Sequence, residues 1–241
     1  MPFRRIVSLV PSQTELLYDL GLDASVVGVT KFCVHPEEWR ERKAIVGGTK
    51  NVDVAKVDTL KPDLIIANKE ENTREDVEHL MNRYKVWVSD VSTIAEAYEM
   101  IASVGELTGR QSTAFEIITK IKSGFSSVPS FVLKKALYLI WKKPWMAAGK
   151  DTFISSMMKV AGFENAIREP RYPKLTGSDI QALAPDVVLL STEPFPFKET
   201  HVEEIKKLLP GSEVILVDGE MFSWYGSRMT RAAAYFRNLR V

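Results

Sequence analysis

Three aromatic rings and one arginine stand close together near the end of the chain, in the segment DGEMFSWYGSR at 218–228. The segment contains Phe222, Trp224, Tyr225 and Arg228, with small residues between them. A buried core segment does not need the arginine, and an ordinary surface loop does not need three rings. Rings that stack on a flat molecule, together with one charged group that binds its edge, need both. The segment therefore predicts a concave binding site.

Histidine and cysteine are too few and too scattered to predict a metal centre or a nucleophilic enzyme. His35, His79 and His201 lie in separate segments, and Cys33 is the only cysteine. A zinc or manganese site needs several such ligands to converge on the ion. The chain also lacks the G-x-S-x-G segment of serine hydrolases and the complete phosphate loop G-x-x-x-x-G-K-[ST]. We expect no catalytic residue, no metal site and no required cofactor.

Composition and charge exclude several further classes of protein. The chain has 241 residues, of which 45% are hydrophobic and 26% charged, and its net charge is +1. A balance this close to neutral does not favour a nucleic-acid partner. No apolar run reaches the ~20 residues that span a bilayer, so we expect no membrane insertion. The length suits one large domain or two modest lobes with separate cores, and we expect a monomer.

Short apolar runs alternate with helical patterns over the first part of the chain. The segment PSQTELLYDLGL predicts a helix that opens with Pro11 and carries a capping box of Ser12 and Glu15. Strands separated by helices of this length form parallel sheets through right-handed crossovers. The predicted strands are RIVSLV, SVVGVT, LIIA and KVWVSD, followed in the second half by KALYLIW, VVLLS and EVILVD.

A helical pattern runs from 92 to 128, with apolar residues three and four apart on both sides of Gly105 and Gly109. We predict one interrupted helix, while a split into two helices around LTGRQS is the alternative. The fold class is then α/β, with two Rossmann-like lobes and parallel sheets joined by a single long α-helix. The predicted domains are an N-terminal lobe at 1–91, the connecting helix at 92–128 and a C-terminal lobe at 129–241.

Two segments at equivalent places in the two halves share one pattern. VDTLKPDLIIAN and IQALAPDVVLLS each contain a helix end, a Pro-Asp pair and four apolar residues, with the prolines at 62 and 185. One interpretation is a common turn before a buried strand. The other is a pair of related α/β lobes on either side of the long helix.

The loops that follow the strands are the expected binding loops, because ligands of open α/β sheets bind beyond the carboxyl ends of the strands. Two facing lobes would direct these loops into one cleft. Stacking on a large planar ligand is one interpretation of their rings, and packing against their own lobe is the other. The rings are those of Trp141, Trp145, Phe195, Phe197, Phe222, Trp224 and Tyr225.

Polar contacts from the N-terminal lobe are expected from Ser12, Thr14 and Asn68. His35 is either a ligand to a metal centre or a loop histidine bonded to the backbone. Arg228 would meet an acidic or carbonyl edge of the ligand.

The segment AAGKDTF at 147–153 leaves two interpretations open. Gly149 and Lys150 precede a predicted helix and could hold an anion at its N-terminus. Alternatively, Asp151 or Thr152 caps an ordinary strand-to-helix turn.

With these elements placed, the chain resembles the helical-backbone (class III) periplasmic binding proteins, which serve ABC importers of cobalamin, ferric siderophores and haem. The resemblance is greatest to the cobalamin-binding branch, particularly in PSQTEL and AGKDTFISSMMKVAGFENAI. It spans nearly the whole chain. The matching segments are RIVSLVPSQTELLYDLGL, VVGVT, VGGTKNVDVAKVDTLKPDLIIAN, MAAGKDTFISSMMKVAGFENAI, DIQALAPDVVLLS and FSWYGSR.

The resemblance implies a solute-binding protein that holds its ligand in the interlobe cleft, performs no catalysis and docks to an importer permease. Cobalamin, a ferric siderophore and haem are the alternative ligands. An acidic residue on each lobe is expected to dock to arginines of the permease, with Glu70, Glu71 and Glu75 as candidates on one lobe and Glu193 on the other. The alternative is that these acids only solvate loops and helix N-termini.

The start of the chain departs from the family pattern, because no hydrophobic leader precedes RIVSLV. If a leader was trimmed from this chain, a periplasmic or other extracytoplasmic location is expected. If Met1 is the native start, the alternative is a cytoplasmic corrinoid or metal-chelate binder, or an enzyme that reuses the fold.

Overall fold

The computed structural model describes residues 3–129 and 132–239. The chain forms two compact units, and each has its own sheet. The first unit comprises 1–91, 95–120 and 225–228, and the second comprises the remaining residues. The short segment 225–228 therefore belongs to the first unit, although it follows the strands of the second unit in the chain.

A five-stranded parallel sheet forms the centre of the first unit. Its strands are β1 (Ile6–Ser8), β2 (Val26–Val29), β3 (Ala44–Ile45), β4 (Leu64–Asn68) and β5 (Val86–Ser89). The helices up to residue 126 are α1 (Pro11–Asp19), α2 (Trp39–Arg42), α3 (Val54–Leu60), α4 (Arg74–Met81), α5 (Ile94–Thr108) and α6 (Gln111–Ser126). The strand order is β3-β2-β1-β4-β5, and every pairing is parallel. All residues of β1 and β4 are buried, as expected for strands covered on both faces.

The first helix begins in a different way from the prediction. It starts at Pro11 with Val10 at the N-cap position, and no side chain caps its first turn. The predicted capping box is therefore wrong, and Ser12 lies within the helix. Proline suits the first helical position because its φ is fixed and its missing N–H needs no partner. Glu15 instead accepts a hydrogen bond from Arg228.

The helical segment 92–128 contains two helices, α5 and α6, where the sequence analysis preferred one interrupted helix. Gly109 follows α5 with φ +69°, a left-handed conformation that glycine adopts without strain. The N–H of Arg110 then bonds the carbonyl of Gly105 at 2.7 Å, which closes the helix end. A Cβ at Gly105 would lie 2.5 Å from the Cβ of Ala114, so the start of α6 packs tightly against the end of α5.

The second unit contains a six-stranded sheet of mixed direction. Its strands are β6 (Lys134–Trp141), β7 (Trp145–Ala147), β8 (Phe163–Asn165), β9 (Lys174–Leu175), β10 (Val187–Ser191) and β11 (Glu213–Val217). Its helices are α7 (Phe153–Val160), α8 (Gly177–Leu183), α9 (Glu199–Leu208), α10 (Glu220–Ser223) and α11 (Met229–Asn238). The order is β11-β10-β6-β7-β9, and β8 pairs with β6. The pairings of β7 with β6 and β9 are antiparallel, which corrects the prediction of purely parallel pairing.

The repeated Pro-Asp pattern has the same backbone geometry in both units. Lys61 ends α3 with φ 47° and ψ 58°, and Ala184 ends α8 with φ 41° and ψ 60°. Both residues precede the proline and adopt the left-handed conformation that terminates a helix. Each helix end then leads directly into a fully buried strand, β4 or β10.

The aspartates of the two Pro-Asp pairs also make the same kind of hydrogen bond. The carboxylate of Asp63 accepts hydrogen bonds from the backbone N–H groups of Arg4 and Arg5, both at 2.8 Å. The carboxylate of Asp186 accepts one from the N–H of Lys135 at 2.8 Å. Each aspartate thus binds the start of the neighbouring strand. This agreement supports the interpretation of two related α/β lobes.

Candidate functional site

Asn68 organises the loop at the carboxyl end of the first sheet. It is the last residue of β4 and is 1% exposed. Its Nδ2 donates to the carbonyl and hydroxyl oxygens of Ser89, both at 3.0 Å. Its Oδ1 accepts from the backbone N–H groups of Glu70 and Glu71 at 2.8 and 3.1 Å. An asparagine used in this way fixes the turn that carries the two acids.

Ser191 occupies the matching place in the second unit, as the last residue of β10. The hydroxyl of Tyr138 donates to Ser191 Oγ at 3.0 Å, and Ser191 Oγ donates to the carbonyl oxygen of Glu193 at 2.6 Å. Burial raises the pKa of Tyr138 far above its ordinary value, so its hydroxyl remains a donor. The same place in the repeated pattern therefore holds an acid-bearing loop in both units.

Glu193 and Trp224, which the sequence analysis assigned to different roles, are in direct contact. Glu193 Oε1 accepts hydrogen bonds from Ser223 Oγ at 2.5 Å and from Trp224 Nε1 at 2.9 Å. Trp224 is only 7% exposed. The carboxylate thus fixes the indole through charge-assisted hydrogen bonds, and most of the ring is buried.

Four of the predicted rings form a strand-end ring cluster at β6, β7 and the loop after β10. The rings of Trp141 and Phe195 meet edge to face at 5.6 Å, and those of Phe195 and Phe197 at 4.8 Å. Trp145 stacks on Phe197 with centroids 6.1 Å apart and planes 5° apart. Phe197 belongs to the core of the unit, whereas Trp141 is 39% exposed. Trp141 therefore has an exposed surface, and the rings that pack against it are anchored in the core of the unit.

Phe222 packs inside the second unit. It is 0% exposed, and its ring centroid lies 5.2 Å from that of Tyr138 and 4.9 Å from that of Phe236. A side chain without exposed surface does not stack on a ligand in this structure. For Phe222, packing within its own unit takes the place of the predicted ligand contact.

Arg228 has a buried carboxylate as its partner within the first unit. Its Nε donates to Glu15 Oε2 at 2.8 Å, and the two side chains are 5% and 6% exposed. The two residues are 213 positions apart in the sequence. Gly226 precedes this contact with φ +115°, a conformation that L side chains rarely adopt. The ion pair binds the segment 225–228 to α1.

Tyr225 is a second buried contact between this segment and α1. Burial raises its pKa well above the ordinary value, and the charge of Glu71 adds to this effect. Hydrogen bonds with Gln13 and Ser12 oppose it. The ring is 7% exposed and its hydroxyl is protonated at neutral pH, so Tyr225 acts as a neutral polar group of the first unit.

Thr14 is an internal hydrogen-bonding residue. It is 0% exposed, and its Oγ1 lies 2.8 Å from Ser8 Oγ, 2.9 Å from the carbonyl oxygen of Val10 and 3.0 Å from Cys33 Sγ. Burial raises the pKa of the Cys33 thiol, which therefore remains protonated. For Thr14, these contacts take the place of the predicted contact with a ligand.

Two polar residues of this network, Gln13 and Glu15, were not predicted as site residues from the sequence. Gln13 is 0% exposed, and its Nε2 donates to Ser89 Oγ at 2.5 Å. The sequence carried a signal for them, because the four residues after Pro11 are all polar. In the structure all four are buried. Buried polar groups need partners, so an uninterrupted polar run at the end of a core strand predicts a hydrogen-bond network.

The loop after β2 contributes one predicted and one missed residue. His35 is half-buried there. Phe32, which the sequence analysis did not select, is 51% exposed, and Lys31 Nζ lies 5.1 Å from the centroid of its ring. An exposed ring in a strand-end loop of the first unit is therefore an additional candidate for ligand stacking.

The acidic candidates of the first unit differ in exposure. Glu70 and Glu71 are half-buried, and Glu75 is exposed in the first turn of α4. Burial raises the pKa of Glu71, and the charge of Lys50 opposes the increase. Docking of these acids to a permease stays a prediction, and so do the ligand contacts of the candidates other than Phe222 and Thr14.

Across residues 3–129 and 132–239, no three histidine, cysteine, aspartate or glutamate side chains are grouped so that they could hold a metal ion. Within the same residues, no helix is long and apolar enough to cross a membrane.

The sequence matches the family described as periplasmic binding protein over residues 6–211. It is 30% identical over 201 residues to an uncharacterized ABC transporter substrate-binding lipoprotein, YvrC, of Bacillus subtilis, and the match covers 77% of this chain and 63% of that protein. It is 22% identical over 194 residues to a vitamin B12-binding protein of Photorhabdus laumondii, with 78% and 70% covered.

A solved structure from Staphylococcus epidermidis, described as a possible iron-binding (periplasmic solute-binding) protein, has the same fold. The TM-score is 0.83 at 25% identity, and the alignment covers 99% of this chain and 98% of that chain. The α/β fold class predicted from the sequence is confirmed.

Proposed function

The chain belongs to the periplasmic binding protein family, and we propose on this basis that it binds a cobalamin-like corrinoid or another metal chelate and delivers it to the permease of an ABC importer. The family consists of solute-binding proteins and not enzymes, in agreement with the prediction from the sequence. The similar proteins include a substrate-binding lipoprotein of an ABC transporter and a vitamin B12-binding protein. Ferric siderophores and haem are the alternative chelates.

The observation that carries the ligand proposal is the strand-end ring cluster. Trp141 is 39% exposed at the carboxyl end of β6, and Phe195 supports it from one side. Corrinoids and haem are large and partly planar, so a supported indole provides a surface on which they stack. In the first unit, Phe32 offers a second exposed ring at the end of a parallel strand.

The repeated strand-end loops support the proposal of permease docking. Asn68 and Ser191 hold Glu70 and Glu193 at equivalent positions, two residues after β4 and β10. Glutamates whose backbone is held in place and whose side chains are half-buried can form directional pairs with arginine, and such pairs remain reversible at a wet interface. We propose that these two acids dock to arginines of the permease.

The test is a titration of the purified chain with cyanocobalamin, haem and a ferric siderophore, followed by absorption spectroscopy and calorimetry. We expect one of these ligands to bind. Trp141→Ala should then weaken binding by about 1–2 kcal/mol, or about 5- to 30-fold in Kd, because part of the indole surface is already covered without ligand.

Phe115→Ala is the matched control, because Phe115 is 70% exposed but lies within the helix α6 and not in a strand-end loop. It should leave the affinity unchanged. Equal effects of the two substitutions would remove the assignment of Trp141. If none of the three ligands binds, the proposed ligand class is wrong.

A further inference from the structure

A groove between α7 and β8 of the second unit lies outside the residues proposed to bind the chelate. Its volume is about 310 Å³. Lys150, Lys159 and Arg168 line it, and Leu133 and Phe163 provide apolar surface. We call it the α7–β8 groove. The net charge of the whole chain, +1, gives no indication of this local excess of positive charge.

The cations of the α7–β8 groove are only partly neutralised. Arg168 pairs with Glu164 at 2.6 Å. Lys150 and Lys159 are exposed, and within the described part of the chain neither forms an ion pair. Glu169 is the nearest further acid on the chain to Arg168, and its backbone carbonyl accepts a hydrogen bond from the N–H of Lys150. Two ammonium groups therefore remain to bind an anion.

A hydroxyl donor is positioned in the same groove. Asn165 Nδ2 donates to Ser155 Oγ at 3.1 Å and to the carbonyl oxygen of Ala148 at 3.0 Å. Because Ser155 Oγ accepts this hydrogen bond, its own proton is directed elsewhere. The N-terminus of α7 is not the site, since Thr152 caps the helix by accepting from the N–H of Ser155 at 3.3 Å. The capped turn considered from the sequence is thus confirmed for Thr152.

We propose that the α7–β8 groove binds a phosphate-bearing anion through the ammonium groups of Lys150 and Lys159 and the hydroxyl of Ser155. A phosphate group carries more than one negative charge and several acceptor oxygens, which matches two cations and one hydroxyl. This site is separate from the proposed chelate site and does not depend on it.

The phosphate group can belong to a soluble molecule or to the headgroup of an anionic lipid. Exposed apolar surface suits the second source, because the lining residue Leu133 is 42% exposed and Val132, which precedes it in the chain, is 95% exposed. Lysines near an anionic bilayer surface add to binding in proportion to their number. The two sources call for separate measurements.

The soluble source is tested by calorimetric titration with glycerol 3-phosphate and inorganic phosphate. The lipid source is tested by co-sedimentation with phosphatidylcholine vesicles with and without phosphatidylglycerol. We expect saturable binding in at least one of these experiments. The double variant Lys150→Gln, Lys159→Gln should weaken it about 25-fold, at about fivefold per lysine. Ser155→Ala, which keeps every charge, should weaken it by a smaller but measurable factor.

The double variant Lys206→Gln, Lys207→Gln is the matched control, since it removes two exposed lysines from α9 of the same unit. It should leave phosphate binding unchanged. The proposal is overturned if neither phosphate nor anionic vesicles bind, or if the two double variants weaken binding equally. It is also overturned if a glutamate-rich peptide binds the groove and phosphate does not.

Discussion

Replacement of Arg228 by methionine removes the positive partner of a buried carboxylate. The Nε–Oε2 distance to Glu15 is 2.8 Å, and the side chains are 5% and 6% exposed. Water therefore cannot replace the guanidinium group around Glu15. Breaking one side of such a pair costs about 3–5 kcal/mol, most of it from the charge that stays buried. Methionine fills part of the volume, so we expect a loss of about 3 kcal/mol in the free energy of unfolding.

Removal of both charges should cost less than removal of the cation alone. In the double variant Glu15→Gln, Arg228→Met, neither of these two buried side chains carries a charge. A double-mutant cycle should therefore give a coupling energy of about 2 kcal/mol or more.

Urea denaturation followed by circular dichroism measures these free energies, and hydrogen exchange of the α1 amides locates the effect in the first unit. Arg40→Met is the matched control, because Arg40 is exposed on α2, and it should change stability by less than about 0.5 kcal/mol. The reasoning is refuted if Arg228→Met costs less than about 1 kcal/mol, or if the two single substitutions are additive.

Two further predictions concern single acids. Burial raises the folded-state pKa of Glu71 above its unfolded value, so the protein loses stability as pH rises from the unfolded-state pKa through the folded-state pKa. Glu71→Gln should therefore increase the free energy of unfolding at neutral pH but not below about pH 4. Urea denaturation at both pH values checks this, and a decrease at neutral pH would contradict it. Asp63→Ala removes the acceptor of two backbone hydrogen bonds and should lower the free energy of unfolding by about 1–2 kcal/mol. Asp186→Ala removes the acceptor of one such bond and should lower it by about 1 kcal/mol, measured in the same way. A larger loss for Asp186→Ala than for Asp63→Ala would count against the proposed role of these carboxylates.

Periodicity predicted the elements that are long or fully buried. The runs LIIA and VVLLS became β4 and β10 because a strand covered on both faces needs apolar residues throughout, and such runs are visible in the sequence. The strands β7 and β9 were missed because they contain three and two residues, too few to show an alternation. Their antiparallel pairing depends on the turns beside β6, which no local pattern specifies.

The candidate site was predictable in its location but less so in its contacts. The sequence pattern placed all three of Trp141, Asn68 and Glu193 at carboxyl ends of strands, and in the structure Trp141 and Asn68 end β6 and β4 while Glu193 lies two residues after β10. Their role in binding stays a prediction. Sequence alone does not show which way a loop side chain faces, so Phe222 was expected at a ligand and lies in the core. The partner of Arg228 was equally hidden, because Glu15 is separated from it by 213 positions.

The repeated pattern explains why the positions of the strand-end loops were easier to predict than the contacts of their side chains. In each unit a left-handed residue ends a helix, a Pro-Asp pair turns the chain, and the aspartate binds the adjacent strand. The buried strand then has a fixed start and a fixed length, so its final polar residue reaches the same edge of the sheet in both units. Because Asn68 and Ser191 hold the next turn from that place, the acids two residues later are set by backbone geometry. The position of such a loop can be inferred from the twelve residues of the repeated segment that precedes it. The side chains that cover an aromatic ring, in contrast, come from distant segments of the chain.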